Sequence, residues 1–374
     1  MQNMCITFLK KDKNMYIKKI ELNHFRNYNK QEIELSEGIN VFYGDNGEGK
    51  TNIIESIFLC ALGKSFRTSK EKELIQFGEE EASVLIDYQK KDRDGKIKVE
   101  LKDKKYVYVN QIRIRKLSEL LGNMHVVIFT PEDIHILRDG PQKRRRFLDI
   151  MIGQLRPNYV SNLNLYMKVL EQRNNYLKQI KFENKQEELL DIWDEKLIEY
   201  GEKIYLYRQE FIEKMKRKIN SIHDNITGQK ENLKMQYLSD CENKENYRKM
   251  LKQHRKIDII KGFTTKGVHR DDFMVYINDE LVNIYGSQGQ NRTVILSLKI
   301  AELEVILDEI GEYPILLLDD FMSELDEKRR TNFLNYIRNT QVIITCTDKL
   351  EIPNLNYYLY KINKGNMIEK AQRN

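Results

Sequence analysis

Val41–Asn52 reads VFYGDNGEGKTN, and this stretch decides the fold of the chain. Within it, Gly44–Thr51 fits the pattern G-x-x-x-x-G-K-[ST] of a phosphate-binding loop. The apolar run Ile39–Tyr43 before the loop is typical of a strand. Apolar residues at helical spacing follow the loop: Ile53, Ile54, Ile57, Phe58 and Ala61. A strand, a glycine-rich loop and a helix N-terminus together bind an anion, so the sequence predicts a nucleotide site.

The loop supplies the candidate nucleotide ligands Gly44, Asp45, Asn46, Gly47, Glu48, Gly49, Lys50 and Thr51. In this pattern the lysine reaches the β- and γ-phosphates, and the hydroxyl after it holds Mg²⁺. We therefore predict Lys50 as the phosphate ligand and Thr51 as a metal ligand.

The composition limits the class of protein. The chain has 374 residues, of which 40% are hydrophobic and 32% charged, with a formal net charge of +6. No apolar run approaches the roughly 20 residues that span a bilayer, so we expect a cytoplasmic protein with no membrane partner. The four cysteines form no C-x-x-C pair, which argues against a disulfide framework and against a zinc site. So small a net charge does not separate a nucleic-acid binder from an ordinary surface.

The predicted elements describe a head that is interrupted by an insertion. We expect residues 1–14 to be a disordered extension, because a clean alternating strand opens at Met15. Residues 15–140 read as the first half of the head, with the loop and an antiparallel β lobe. Residues 141–262 read as a helical arm subdomain, and residues 263–374 as the second half of the head. The predicted fold is α/β, with a mixed sheet around the P-loop.

Two local patterns lead to more specific expectations. Asp94-Gly95 and Asn278-Asp279 are hairpin turn signals. In the arm, apolar residues repeat at three and four positions on both sides of a polar gap at residues 183–188. This pattern fits an antiparallel hairpin of coiled-coil type, and it fits two packed helices of a small bundle equally well.

A second apolar strand ends in two carboxylates, in the stretch Pro314–Asp320, PILLLDD. Such a strand delivers Asp319 to the carboxyl edge of the sheet beside the loop, where it can hold Mg²⁺ through water. Asp320 is then placed to orient or deprotonate the attacking water. Two acids after a strand also occur in solvated turns, but the phosphate-binding loop favours the catalytic interpretation.

The stretch Ser287–Gln290, SQGQ, stands just before a long apolar helix. The Ser287 hydroxyl and the amides near Gly289 are donors for a γ-phosphate, and Gln290 completes the group. A serine N-cap is common, so these four residues indicate little by themselves. Their place shortly before the carboxylate pair supports the assignment.

The motifs resemble those of the ATP-binding-cassette (ABC) superfamily, in which SQGQ matches a shortened signature. SELD at Ser323–Asp326 matches the D-loop, with Ser323 and Asp326 as its candidate residues. From about Met15 onward the chain resembles the RecF family of DNA replication and repair proteins, relatives of the SMC and Rad50 ATPase heads. The matching stretches include KKIELNHFRNY, GDNGEGKTNIIESI, ALGKSFRT, ELIQFG, FTPEDIHIL, GPQKRRRFLDIMIGQLRPNY, LEQRNNYL, HRDDF, SQGQNRT and LLLDDFMSELD.

This resemblance implies an ABC/SMC-type ATPase head that binds ATP and Mg²⁺ and forms an ATP-dependent homodimer. Each signature would face the P-loop of the other copy. The family implies a clamp for single- and double-stranded DNA at gaps or junctions. It also implies RecO and RecR as partners in placing recombinase, and a role in the SOS response.

The chain departs from the expected family pattern at a few positions. Asn291 stands where a glutamine is expected, and Val268 stands where a proline is expected. The switch position carries Thr347 and Asp348 and no histidine, and the carboxylate pair is Asp-Asp where Asp-Glu is more usual. The last two features imply slow hydrolysis, in which ATP acts chiefly as a clamp, and the resemblance to the family implies that this weak ATPase depends on DNA.

Basic residues are the candidate DNA contacts: Arg67, Lys143, Arg144, Arg145 and Arg146. Arg67 resembles the arginine loop of SMC-type heads. The run Lys143–Arg146 precedes an apolar helix, and a solvated face or a set of salt bridges is its alternative interpretation. Contacts of this kind reach phosphates and are therefore salt-sensitive and independent of base sequence.

Three further residues carry weaker expectations. Gln154 is a candidate Q-loop residue, but the sequence alone does not identify which residue forms the Q-loop. His269 and Arg270 are expected to be buried partners of the carboxylates in HRDDF.

Two other classes of protein require features that this sequence lacks. A transporter nucleotide-binding subunit needs a full LSGGQ-like signature, a switch histidine and no helical insertion. A structural DNA-tethering ATPase of the SMC/Rad50 kind needs a far longer arm with a hinge, or a C-x-x-C hook, and Cys241 has no such partner.

Overall fold

The computed structural model describes residues 14–91, 93–183, 185–228, 231–352 and 355–373. Apart from Asn14, the expected extension at residues 1–14 lies outside the described residues. The strands are β1 Tyr16–Phe25, β2 Tyr28–Glu34, β3 Ile39–Tyr43, β4 Ala82–Lys90, β5 Arg93–Leu101, β6 Lys105–Val109, β7 Ile112–Arg113, β8 Val126–Phe129, β9 Leu233–Leu238, β10 Asp272–Ile277, β11 Glu280–Leu281, β12 Ile315–Asp319, β13 Val342–Cys346, β14 Tyr357–Asn363 and β15 Asn366–Arg373. The helices are α1 Lys50–Leu62, α2 Leu117–Leu120, α3 His135–Arg138, α4 Pro141–Leu155, α5 Pro157–Glu183, α6 Leu190–Thr227, α7 Lys244–Lys261, α8 Val282–Tyr285, α9 Gln288–Ile310 and α10 Glu327–Tyr336. Short 3₁₀ helices cover Glu71–Leu74, Pro131–Ile134, Glu187–Leu189, Val268–Arg270 and Phe321–Glu324.

The central sheet contains the strand that leads into the phosphate-binding loop. Its order is β15-β14-β3-β13-β12-β8, and all neighbours pair in parallel except β15, which is antiparallel to β14. Strands β3, β13 and β12 therefore end at the same edge, which brings the loop after Tyr43 beside Asp319. The residues of β12 are buried, as expected of a strand covered on both faces.

The two faces of this sheet pack against different helices. Leu316 and Leu318 belong to the apolar cluster that includes α9. Ile315 and Leu317 point the other way, into a cluster formed with α1 and the β lobe. The β lobe is an antiparallel sheet of order β2-β1-β4-β5-β6-β7. A mixed P-loop sheet with an antiparallel β lobe and a helical insertion confirms the predicted fold class.

The two hairpin turn signals have different outcomes. Asn278 and Asp279 have φ values of 49° and 69° and connect β10 to β11, as predicted. The prediction for Asp94-Gly95 was wrong, because both residues lie within β5, where Gly95 pairs with Tyr88. A Cβ on Gly95 would lie 2.3 Å from the Tyr88 ring. This glycine therefore makes room for a cross-strand aromatic ring and does not form the turn.

The insertion is built from α5, α6 and α7. Helices α5 and α6 pack along each other, and α7 contacts both. Tyr247 and Leu251 of α7 are fully buried. The structure therefore favours the small-bundle alternative over an isolated two-helix hairpin. The limits of the arm at residues 141 and 262 remain a prediction.

Helix α6 joins the arm to the head. Its C-terminal part packs against α9 and against β9, which forms a three-stranded sheet of order β11-β10-β9. Arg208, in the middle of α6, donates to the Val268 carbonyl at 2.6 Å and to Asp271 and Asp149 at 2.9 Å. Because these partners lie on α4 and on the segment before β10, the root of the arm is fixed by a buried ionic network.

Candidate nucleotide-binding site

The glycines of the loop have backbone conformations that other residues rarely adopt. Gly44, Gly47 and Gly49 have φ values of 148°, 86° and 113°. A Cβ on Gly44 would lie 2.4 Å from the Ile362 carbonyl oxygen, and one on Gly49 would lie 2.6 Å from the Asn27 side chain. The loop therefore needs glycine both for its conformation and for close packing.

Lys50 begins α1, directly after the glycine at the helix N-cap. Its Nζ donates to the carbonyl oxygens of Gly44 at 2.5 Å and Asp45 at 2.7 Å. The residue is 8% exposed. The loop thus holds a positive charge at a helix N-terminus, and this arrangement fits a triphosphate.

The structure brings together the two residues predicted to hold the metal. Thr51 Oγ1 donates to Asp319 Oδ1 at 2.7 Å, and Thr345 Oγ1 donates to the same oxygen at 2.8 Å. A hydroxyl and a carboxylate oxygen are donors that suit Mg²⁺. The next residue, Asp320, has a φ of 50°, and its N–H bonds the Thr345 carbonyl at 3.2 Å. Thr51, Asp319 and Asp320 line one cleft.

A network behind the loop contains residues that the sequence reasoning did not assign. Glu55 of α1 is fully buried and accepts from Arg26 Nε at 2.8 Å and Nη2 at 2.7 Å. The Asn27 side chain donates to the Glu48 carbonyl at 2.8 Å and accepts from Asn52 Nδ2 at 2.8 Å. Arg26 and Asn27 belong to the stretch HFRNY, which is part of the family resemblance and is the signal that could have found them.

The signature residues lie at the N-terminus of α9. Ser287 is exposed, caps the helix and forms a capping box with Gln290. Gln290 also donates to Glu231 at 3.0 Å. Asn291, the departure from the family pattern, donates to the Gly286 carbonyl at 2.9 Å and so supports the same turn. Among the described residues, none of positions 287–290 lines the cleft that contains Thr51.

The D-loop candidates lie directly after the carboxylate pair. Ser323 Oγ donates to the Asp320 carbonyl at 2.7 Å, so the hydroxyl steadies the turn that carries Asp320. Asp326 caps α10 by accepting from the Arg329 N–H at 2.9 Å. Both residues therefore have local structural contacts at the edge of the candidate site.

The basic run on α4 does not lie on a single face. Arg144 is buried and donates to both carboxylate oxygens of Asp272, at 2.6 Å and 3.0 Å. Arg145 is half-buried and donates to the Asp271 carbonyl at 2.7 Å. Only Lys143 and Arg146 of this run are exposed. Burial removes Arg144 from the candidate DNA contacts, because its guanidinium is held inside the protein.

Arg67, the remaining basic candidate, is exposed beside the P-loop helix. Its Nη1 donates to Asn52 Oδ1 at 2.9 Å and lies 3.5 Å from Glu55 Oε2. The side chain of Asn52, which follows the loop, therefore orients Arg67 without burying it.

Gln154 has a structural environment. It is almost fully buried, accepts from the Val126 N–H at 2.8 Å and donates to the Val126 carbonyl at 3.1 Å. These bonds tie α4 to the beginning of β8, at the opposite end from the nucleotide edge. The structure therefore gives no support to Gln154 as a Q-loop residue.

The expected partners of the HRDDF carboxylates were wrong. His269 bonds Tyr166 at 2.8 Å and the Thr264 carbonyl at 3.1 Å, and burial lowers its pKa to about 4. Arg270 is exposed. The carboxylates pair with arginines from distant helices, Arg208 for the first and Arg144 for the second, as described above.

The arrangement of these elements defines a class of protein. A strand, a glycine loop and a helix lie beside a carboxylate-tipped parallel strand, in a sheet flanked by a β lobe and a helical arm. This is a P-loop ATPase head of the ABC/SMC type. Among the helices that the structure describes, none combines the length and the hydrophobicity that a membrane span requires.

Comparisons with known proteins then identify the family. The family model "RecF/RecN/SMC N terminal domain" matches residues 16–368. The DNA replication and repair protein RecF of Clostridium perfringens is 44% identical over 356 residues, covering 94% of this chain and 97% of the relative. The chain therefore belongs to the RecF family, whose members are SMC-like ATPases of DNA replication and repair.

Solved structures agree with this assignment. One described as "the recombination mediator protein RecF-ATP in RecFOR pathway" is 38% identical, with a TM-score of 0.89, and covers 96% of this chain and 98% of the other. A Pyrococcus furiosus Smc head domain is 17% identical, with a TM-score of 0.56 and 96% coverage of both chains. The second likeness concerns the fold alone.

Proposed function

We propose that this chain is an ATP-driven clamp that closes as a homodimer on DNA. The observation that carries the proposal is the separation of the two half-sites within one chain. The loop and Asp319 share one cleft, whereas Ser287 caps an exposed helix outside that cleft. A second copy can therefore supply Ser287, Gly289 and Gln290 to the phosphates held by the first.

Within one copy, the loop amides and Lys50 would bind the phosphates, while Thr51 and Asp319 would hold Mg²⁺, Asp319 through water. When bound, Mg²⁺ neutralises charge on the phosphate oxygens. Asp320 would orient the attacking water or accept its proton. Its side chain is shorter than that of glutamate, and no histidine stands at the switch position beside Thr347. We therefore expect weak hydrolysis, and from the family resemblance we propose that DNA stimulates it.

The proposed DNA contacts are Arg67, Lys143 and Arg146, with Arg145 partly available. Lys143, Arg146 and Arg67 line the same cleft as Thr51, so they lie beside the nucleotide site. Exposed cations of this kind bind phosphates without reading bases. Recognition of a gap or junction would then depend on the shape of the closed dimer.

The partners are proposed from the relatives alone. A related RecF is described as a recombination mediator in the RecFOR pathway. We propose that this chain likewise acts with RecO- and RecR-type proteins to assist recombinase loading and the SOS response. The family and the sequence resemblance support this step.

The test of the clamp is sedimentation of a Ser287→Arg variant with and without ATP. An arginine at this exposed cap would occupy the space meant for a second copy's phosphate, so ATP-dependent dimerisation should be lost. Nucleotide binding to a single copy should persist, because the loop is untouched. A matched control is Asn243→Arg, since Asn243 is an exposed N-cap on α7 in the arm. ATP-induced dimerisation of Ser287→Arg at native affinity would contradict the proposal.

A further inference from the structure

A group of buried charges lies between the signature helix and the metal edge of the sheet. Lys299 and Glu302 of α9 are 4% and 1% exposed, and the Lys299 Nζ lies 2.9 Å from Glu302 Oε2. The same ammonium lies 5.8 Å from the centre of the Phe129 ring and 5.3 Å from that of Phe147. Burial acts to lower the pKa of Lys299, but the Glu302 and Asp133 carboxylates outweigh it and hold that pKa above its ordinary value. The carboxylates therefore favour the charged form of the amine, although it is enclosed.

The charge group of Lys299, Glu302 and Asp133 connects the signature helix α9 with the turn that follows β8. Asp133 belongs to the 3₁₀ turn after β8, and it accepts from the Thr130 N–H at 2.7 Å. Strand β8 pairs with β12, with Phe129 opposite Leu318, immediately before Asp319. The side chains of Lys299, Glu302 and Asp133 line the wall of a cleft of about 700 Å³. The same cleft is lined by Thr51, Asp319 and Asp320.

We propose that Lys299 is a positioning residue that transmits nucleotide occupancy at the loop to the signature turn. Its ammonium fixes α9 against the end of β8. Lys299 and Asp319 line the same cleft, so charge placed at the Asp319 end acts on the ammonium with less screening than in bulk water. Lys299 lies about 18 Å along α9 from Ser287, by the rise of an α-helix, so a small tilt at the lysine displaces the cap. The inference deepens the proposed function, since the significance of this displacement rests on Ser287 meeting a second copy.

A purely structural role for the ion pair predicts a different result, and paired substitutions separate the two. Removing the lysine alone leaves buried carboxyl groups uncompensated and destabilises the protein. Lys299→Met with Glu302→Gln removes both charges at similar volume, which buried ion pairs often tolerate. Lys299→Arg keeps the positive charge. A merely structural pair would allow the double variant to behave as the native protein.

The experiment measures hydrogen exchange at residues 286–292, with and without Mg-ATP, at a concentration where sedimentation shows a monomer. In the native chain, nucleotide should slow exchange in this segment. In the double variant that response should fall by about tenfold, the size of a typical coupling between sites. Its affinity for a fluorescent ATP analogue should stay near the native value. Lys299→Arg should recover most of the response.

The matched control removes another ion pair of α9. Lys214 Nζ lies 2.5 Å from Glu309 Oε1 and ties the far end of α9 to α6, outside the cleft. Lys214→Met with Glu309→Gln should leave the nucleotide response intact. A native response in the Lys299 double variant overturns the proposal, and so does a native chain without any response. If the Met–Gln pair does not fold, Lys299→Gln with Glu302→Gln takes its place. Dimerisation is scored separately, so failure of the clamp does not decide this test.

Discussion

The pattern of exposed and buried residues on α4 leads to a specific prediction about DNA binding. Lys143 and Arg146 are exposed on this helix, whereas Arg144 is buried. We expect Lys143→Gln with Arg146→Gln to weaken binding to every DNA sequence alike. Each phosphate contact contributes about 0.9 to the slope of log affinity against log salt, so losing two contacts should lower that slope by about 1.8. Over a fourfold rise in salt, this equals about a tenfold difference in how far affinity falls.

The assay is fluorescence anisotropy of a gapped duplex, titrated at several salt concentrations in the presence of a non-hydrolysable ATP analogue. The control is Lys252→Gln with Lys256→Gln, which removes two exposed charges from α7 in the arm. The free energy of unfolding of both double variants should lie within about 0.5 kcal/mol of the native value, as expected of surface changes. An unchanged slope in the α4 variant, or an equal fall in the α7 control, would refute the reasoning.

Three further predictions concern single residues. Lys50→Met should abolish nucleotide binding, measured with a fluorescent ATP analogue, and retained affinity would remove the phosphate-binding assignment. Arg208→Met should lower the free energy of unfolding by about 3–5 kcal/mol, because it leaves the Asp271 carboxylate buried without its cation; urea denaturation showing a change below about 1 kcal/mol would count against it. Arg144→Gln should lower the free energy of unfolding by a similar amount, because it leaves the Asp272 carboxylate buried without its cation. Normal stability together with a reduced salt slope of DNA binding would make Arg144 a candidate DNA contact again.

Sequence patterns predicted the features whose causes are local. The loop, its strand and its helix are consecutive in the chain, and their residue types directly indicate an anion-binding site. The Asp319 strand was predictable because four apolar residues followed by an acid fit a buried parallel strand. The turn at Asn278-Asp279 was predictable because both residues tolerate positive φ.

Features that depend on distant partners were not predictable in this way. Strand β14 enters the central sheet beside β3, although more than half of the chain separates them. Gly95 looked like a turn residue because nothing local shows that the Tyr88 ring covers it. For Arg144 a signal was present: it shares one helical face with Phe147, Leu148 and Met151, which are all buried. The phase of the helix indicated burial, but the partner Asp272 could not be inferred from spacing.

The buried arginines also locate where the molecule can change shape. Arg208 ties α6 to α4 and to the segment before β10, and Arg144 ties α4 to β10. Breaking either pair would leave a charge buried without its partner, which costs several kcal/mol, so the arm and these elements should move as one body. Helix α9 packs along α6 and belongs to the same body. The cleft between Asp319 and Lys299 is then where this body meets the P-loop half, and we expect the arm to follow the signature helix whenever nucleotide moves it.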